Sequence, residues 1–469
     1  VFRLFRARVY GGLKVMQEQL LQAPDQVSNL PLPPQAKGLP LFGSALEMAS
    51  QPLQFWVDNY LALGPVYQVT AFNRQFFVMA GPEANLFMTR MNDGYVSSHG
   101  TWADYAKEAN APHQLTMLDG EAHIRQRKVM RPTMARSAII NRFSEVVQIT
   151  DNEINALTPG TSISVLAFFQ KLICNQLGLM LAGRIAGDRM QDIITVVRTR
   201  LNTLVVRNRP KLLLSMPAYQ RASLRVQQFA QEIIAERRAR PRPEIPDFVD
   251  DMIAGLDNEL NDFTESDLEA SVLSPFIAGL DTVANTCTFM LYALLRYPEV
   301  LTRVKEEVDR LFAAGLPTSD GLEQMTALHG TAMETLRIYP VAGVLPRTAV
   351  KDFEFAGYRI PQGVELLVAA MVSHFLPTFY PNPEKFDIER YHAPYNQHRQ
   401  PGAFAPFGLG AHACLGAGLA EVQIMLTLAQ MINRVEFELD PPDFQPKIEN
   451  NPTLTPGYRF RVRVKALRA

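Results

Sequence analysis

The residues best suited to chemistry stand together at Phe407-Gly408-Leu409-Gly410-Ala411-His412-Ala413-Cys414-Leu415-Gly416. The three glycines give a loop that can take positive φ and approach a flat ligand closely. Leu419, Val422, Met425, Leu426, Ala429 and Ile432 follow at helical spacing, so Cys414 falls just before a helix. There the amide dipoles favour a thiolate over a thiol. A thiolate in an apolar, glycine-lined loop suits a soft metal or a haem iron. A buried cysteine in a tight turn is the plainer alternative. Zinc is a third, but no second ligand pair at zinc-finger spacing accompanies His412 and Cys414, and a structural site needs four ligands.

Ala278-Gly279-Leu280-Asp281-Thr282 is the second chemical grouping. Asp281 is the only charge in the apolar run from Ser271 to Leu295, and such a charge is costly unless paired or functional. Either a distant arginine satisfies it, or the carboxyl and the Thr282 hydroxyl serve a ligand as proton donors, with Gly279 opening room beside the helix. A third grouping, Glu334-Thr335-Leu336-Arg337, puts Glu and Arg three apart on one helix face.

Together these stretches resemble the cytochrome P450 family. The loop matches its Phe-x-x-Gly-x-x-x-Cys-x-Gly pattern, and Ala278–Thr282 its oxygen-activation motif. The resemblance implies haem b held by Cys414 as proximal iron ligand, with Phe407, Gly408 and Gly416 shaping the loop and Ala278 and Gly279 on the opposite side. It gives Thr282 the role of hydrogen-bonding the activated oxygen and Asp281 that of relaying protons. Pro383-Glu384-Lys385-Phe386-Asp387-Ile388-Glu389-Arg390-Tyr391 is similar to the family segment whose arginine joins the helix pair, which makes Glu334, Arg337 and Arg390 a structural brace. His123 and Arg127, spaced i, i+4, resemble its propionate-binding helix; Arg347 and His412 stand where further propionate partners would be. His412 replaces the arginine of many relatives. Arg125, Lys128 and Arg131 on the other faces of that helix are candidates for docking an electron donor.

The resemblance covers about Pro40 to the end and implies a mainly α fold with a smaller β-rich region, a helical prism with the haem between the central helix and the Cys414 loop. The activity implied is a monooxygenase that inserts one atom of O2 into a hydrophobic substrate such as a fatty acid, terpenoid or sterol. Electrons would come from a separate ferredoxin- or flavodoxin-type donor and its NAD(P)H reductase, since no reductase follows the core. Phe276, Ile277, Val341, Val344, Leu345 and Leu454 fall at expected pocket positions, as do the 97–114 loop and the region near Leu201 to Tyr219; all six named residues are apolar. Arg207, Arg209 and Lys211 could meet a substrate carboxylate, but water is the simpler expectation. A haem-thiolate peroxygenase, isomerase or dehydratase, or a non-catalytic relative, are the alternatives; the intact Asp281-Thr282 pair and Cys414 argue against them.

The remaining chain must position these residues. Its 469 residues allow one large domain or two to three ordinary ones, and a net charge of −1 gives no global basic field for nucleic acid. Three cysteines offer no disulfide framework and suit a reducing compartment; Cys174 and Cys287 lie in apolar helical stretches. Residues 1–39 read as a basic amphipathic helix (Val1 to Leu21) and a Pro-rich linker, and 40–469 as a single domain. The helix would pack on the body or lie on a membrane surface, leaving a cytoplasmic protein with peripheral membrane contact at most. The spacing predicts a helix from Pro52 to Leu63 and a hairpin around Phe72-Asn73-Arg74. It predicts an irregular, mobile loop from Ser97 to Gln114, a buried central helix over Ser271–Leu295, one helix from Gly321 to Ile338 and a terminal strand over Tyr458–Lys465. The proline-rich stretch from Leu376 to Phe407 has no regular pattern, and its length implies that something functional pins it.

Overall fold

The computed structural model describes residues 27–90, 94–258, 260, 262–313 and 315–468. The amphipathic helix expected over Val1 to Leu21 lies outside them. The class is mainly helical with several small sheets, as the sequence implies. The described residues up to Thr101, with Ala342–Cys414, form one compact unit, and Trp102–Val341, with the described residues from Leu415 onward, form another.

The first unit is built on a five-stranded sheet. Strand β1 (Val66–Ala71) turns through Phe72, at φ 54°, into the antiparallel β2 (Arg74–Ala80), the expected hairpin. The other strands are β3 (Val96–Ser97), β4 (Leu345–Ala349) and β5 (Glu365–Ala369), and the order is β1-β2-β5-β4-β3. Only the β2–β5 pair is parallel, with Phe77 opposite Leu366. Tyr67, Val69 and Val78 join one apolar cluster, while Val66, Phe77, Leu366 and Val368 join another, so both faces are covered. A helix over Gln54–Leu63 packs against this sheet and is stopped at Gly64, φ 94°. Sequence pattern misses β4, because Pro346 and Arg347 break its apolar alternation.

In the stretch expected to be irregular, only short 3-10 turns form, at Ile388–Tyr391 and Gln397–Arg399. Side chains pin it in place of a backbone ladder. Asn85, wholly buried, donates to Ala370 O at 3.0 Å, Ser373 Oγ at 3.0 Å and Gly402 O at 2.9 Å.

The second unit is helical. The mobile loop expected over Ser97–Gln114 is instead mostly helix α1 (His99–Ala109), which begins at the edge of the first unit. Only Tyr105 and Ala106 of α1 are buried, so no apolar stripe announces it. Then come α2 (Gly120–Met134), α3 (Val165–Ala182), α4 (Met190–Arg200), α5 (Pro217–Arg238), α6 (Glu265–Arg296), α7 (Thr326–Ile338) and α8 (Ala417–Arg434). The single helix expected over Gly321–Ile338 is broken at Gln324 and Met325, with a separate short helix at Ser319–Glu323.

The central helix α6 opens with a capping box between Thr264 and Asp267 and carries Pro275 within it. Both α6 and α3 are long and apolar enough to cross a membrane, yet 78% and 72% of their most apolar windows are buried inside the protein. That burial makes them core helices. A three-stranded antiparallel sheet completes the unit, with Arg461–Leu467 running between Ser162–Ser164 and Val435–Leu439.

Candidate functional site

In the first unit the Cys414 loop is held by its backbone. Gly408 and Gly410 stand at φ 69° and 70°, values a side-chain-bearing residue rarely takes. The Cys414 N–H donates to Phe407 O at 2.7 Å, closing the loop on itself. Cys414 is the exposed cysteine of the three; Cys174 and Cys287 are buried, and burial pushes the Cys174 thiol up to about 12 and that of Cys287 higher still. The two are therefore inert thiols, whereas Cys414 presents its sulfur. A Cβ built on Gly416, just before α8, would meet nothing within 4 Å.

His412 is half-buried in the same loop. Arg347 is buried on β4, where its Nη1 donates to Pro346 O at 2.8 Å. Val344 and Leu345 are half-buried; a Cβ built on Gly408 would sit 3.4 Å from Leu345 Cδ1. Arg390 donates to Pro381 O and Asn382 O, both at 3.0 Å, to Lys385 O at 3.3 Å and to Gln397 Oε1 at 3.0 Å. It works as a local staple of the irregular stretch.

In the second unit α6 carries the other half of the chemistry. Along this buried helix Ser274 and Thr282 are half-buried and Ala278 is exposed. At i, i+4 and i+8 they share one face, which is less covered than most of the middle of the helix. The Thr282 hydroxyl donates to Ala278 O at 2.6 Å, on that face. Gly279 is not part of it: a Cβ there would stand 2.9 Å from Leu177 Cδ1, so the glycine admits an α3 side chain. Phe276 is buried and Ile277 half-buried. Val341 and Leu454 are buried, and the Leu454 N–H donates to Val341 O at 3.0 Å.

Asp281, 3% exposed, turns its carboxylate into a closed ring of side chains. Arg198 of α4 donates from Nε to Oδ2 and from Nη2 to Oδ1, each at 3.0 Å. Gln170 of α3 donates to Oδ1 at 2.7 Å, Tyr458 donates to Gln170 Oε1 at 3.0 Å, and Arg198 Nη1 donates to the Tyr458 hydroxyl. The distant arginine weighed from sequence is thus Arg198. Sequence reasoning missed it because Arg198-Thr199-Arg200 reads as a solvated run. Asp281 and Thr282 make no hydrogen bond to each other among the described side chains.

On α2, His123 is buried and Arg127 half-buried, while Arg125, Lys128 and Arg131 are exposed. On α7, Glu334 and Arg337 are both 0% exposed and bidentate, Nε to Oε2 at 2.7 Å and Nη2 to Oε1 at 2.8 Å.

The donor set fits a haem. In one unit an exposed thiol stands in a loop whose glycines keep bulk away; in the other, the less covered face of α6 offers the Ala278 methyl between the Ser274 and Thr282 hydroxyls. Buried or half-buried basic side chains (Arg347 and His412 in one unit, His123 and Arg127 in the other) suit anionic propionates. Among the described residues no group of three His, Cys, Asp or Glu could hold a metal ion.

The family description "Cytochrome P450" matches residues 33–463. The chain belongs to the cytochrome P450 family. Among relatives, it is 26% identical to a putative cytochrome P450 139 of Mycobacterium tuberculosis, covering 80% of this chain and 89% of that one. It is also 26% identical to a cyclooctat-9-en-7-ol 5-monooxygenase of Streptomyces melanosporofaciens, over 84% of this chain and 87% of that one. The crystal structure of a cytochrome P450DA heme domain superposes with a TM-score of 0.82 at 22% identity, covering 94% of this chain and 98% of the other. This P450 is accordingly a monooxygenase, with a haem, an organic substrate, O2 and a redox partner in the family's general sense.

Proposed function

We propose that this P450 hydroxylates or epoxidises a hydrophobic, isoprenoid-like molecule, using haem b and electrons from a separate ferredoxin- or flavodoxin-type donor. The observation that carries the reading is the exposed Cys414, presented by a loop whose Gly408 and Gly410 stand at positive φ. Haem, when bound, supplies the chemistry that reduces and splits O2. Cys414 would hold it as a thiolate, whose electron donation favours O–O cleavage. His123, Arg127, Arg347 and His412 would hold the propionates.

The chain's own residues supply protons and shape. The Thr282 hydroxyl, now spent on Ala278 O, can rotate to donate outward from the face that carries it. The Asp281 carboxylate is turned toward Arg198, so to serve Thr282 it would first take a proton from solvent and then hand it on through a water or after the Arg198 arm moves. Phe276, Ile277, Val341 and Leu454 give an apolar lining that excludes water and rewards a hydrocarbon body. The relative that acts on cyclooctat-9-en-7-ol supports an isoprenoid skeleton.

Three measurements test this. Reduced protein with CO should show the strongly red-shifted thiolate Soret band, and its absence would sink the assignment. Thr282→Ala should divert reducing equivalents into peroxide while the substrate-induced spin shift stays; unchanged coupling would count against proton delivery by Thr282. Turnover with peroxide and none with NAD(P)H and redox proteins would favour the peroxygenase alternative.

A further inference from the structure

Arg200, the last residue of α4, is a buried cation that no carboxylate meets. It is 9% exposed and stands in no ion pair among the described residues. Its Nε donates to the Tyr219 hydroxyl at 2.8 Å and its Nη2 to Ser223 Oγ at 3.1 Å, both on α5. Its guanidinium carbon lies 6.0 Å from the ring centres of both Tyr105 and Tyr219. The nearby carboxylates are engaged elsewhere. Glu108 accepts from Tyr219 at 2.7 Å, Asp104 is taken by Lys211 at 2.8 Å, and Asp192 by Arg225. A buried arginine without a counter-charge is expensive, since two neutral hydroxyls and two ring faces replace only part of its lost hydration. One edge of the fork, Nη1, makes no hydrogen bond to a carboxylate or carbonyl among the described residues.

A second group beside it is also incomplete. The Tyr105 hydroxyl of α1 is fully buried, and the side chain it interacts with is the Arg200 guanidinium, itself a donor, so the hydroxyl proton has no acceptor among the described residues. Burial, partly offset by the Arg200 charge, moves its pKa up from 10, so it remains a protonated donor. The Tyr105 proton and the Arg200 charge therefore stand together with no carboxylate to meet them, an arrangement that suits an added carboxylate. The elements fit as well. Tyr105 and Glu108 lie in the 97–114 segment and Tyr219 near Leu201, both regions that the resemblance assigns to the substrate cavity. The turn that follows Arg200, Leu201–Val205, is π-helical, a distortion frequent at functional sites.

We propose that Arg200 Nη1 and the Tyr105 hydroxyl bind the carboxylate of the substrate, which is therefore a hydrophobic organic acid. This rests on the monooxygenase reading and names its substrate class. Arg207, Arg209 and Lys211 are exposed, and Lys211 and Arg207 are drawn to Asp104, at 2.8 and 3.9 Å. They are poorer candidates for a desolvated anion.

The test uses haem-loaded enzyme and matched probes: farnesoic acid against its methyl ester and farnesol, and dodecanoic acid against its methyl ester. Binding is read from the Soret spin-state shift. The acids should bind about tenfold or more tighter than the esters, the scale of one charge-assisted hydrogen bond. Arg200→Gln should abolish that preference, Arg200→Lys should keep part of it, and Tyr105→Phe should weaken acids several-fold with little change for esters. Acids and esters binding alike in the wild type, or neither binding, overturns the proposal. So does a loss in Arg200→Gln that is equal for acid and ester, which would mark a structural arginine. The thiolate–CO band is recorded on the same samples. If it is present without acid preference, only the carboxylate site fails; if it is absent, the haem-thiolate reading itself fails.

Discussion

Arg198 and Asp281 are a pair whose members come from two helices, and neither is easily spared. Asp281 is almost wholly buried, and only 18% of the Arg198 side chain is exposed. Removing one partner of such a pair strands a charge out of water, which typically costs about 3–5 kcal/mol. Arg198→Leu should lower stability by that order in urea unfolding, and adding Asp281→Asn should restore a substantial part of it. Strictly additive losses in this double-mutant cycle would show that the pair does not couple. A second consequence concerns catalysis. If Arg198 regulates proton passage from Asp281, the Leu variant should change the solvent isotope effect on turnover while leaving substrate affinity near wild type. An unaltered isotope effect would confine the ring to a structural part. Asp281 was legible in the sequence because a lone charge interrupts an apolar run. Arg198, Gln170 and Tyr458 were not, because they come from three separate segments and nothing local distinguishes them from surface polar residues. Arg200 escaped for the same reason.

The elements that hold the Cys414 side of the chemistry are joined by polar side chains as well as by apolar packing. The helix Gly81–Arg90 follows β2 directly, and its first turn carries Glu83, which accepts from the Tyr60 hydroxyl at 3.2 Å. Burial is the main cause that raises the Glu83 pKa above 4.5, and its hydrogen bonds only partly oppose it. A carboxyl with a raised folded-state pKa contributes stability that is complete below the unfolded value and lost as pH rises through the folded one. Glu83→Gln keeps an acceptor for Tyr60 and has no proton to lose. Its melting temperature should therefore gain on the wild type as pH climbs from about 4.5 toward neutrality, and parallel curves would show that Glu83 is not charged at a cost. Asn85, two residues on, tests the same helix differently. Asn85→Ala leaves buried carbonyls without a donor, and each orphan costs about 1–3 kcal/mol; urea unfolding should show a loss of at least that size. Elements with a clear period were legible, the β1–β2 hairpin and α6 above all. Helix α1 was not, because its two buried residues are adjacent and form no stripe. The break at Gln324 and Met325 was also hidden, since neither residue is a helix breaker.

At the scale of the whole molecule, the helical unit depends on its C-terminal strand. Arg461–Leu467 is the middle strand of its sheet, paired on one side with Ser162–Ser164, about three hundred positions earlier, and on the other with Val435–Leu439. Its own Val462 and Val464 are fully buried. Beyond the strand, Arg468 grips Asp309 with Nη1 at 2.9 Å and Nη2 at 2.8 Å. The strand and the ion pair hold the same terminus by different physics, and their magnitudes separate them. Both partners of the Arg468–Asp309 pair are over a quarter exposed, so water and salt screen it, and such pairs contribute about 0–1 kcal/mol. Val464→Ala, by contrast, removes buried methyl groups where the neighbours can close in only partly, for about 2 kcal/mol. A stop after Arg459 removes both valines and leaves two strands, one of them three residues long, with no ladder between them. Arg468→Ala should therefore unfold within about 1 kcal/mol of wild type, Val464→Ala measurably earlier, and the truncated chain without a cooperative transition. A truncated chain that still melts cooperatively near the wild-type temperature would mean that the helices alone hold this unit, and that the long-range sheet is dispensable.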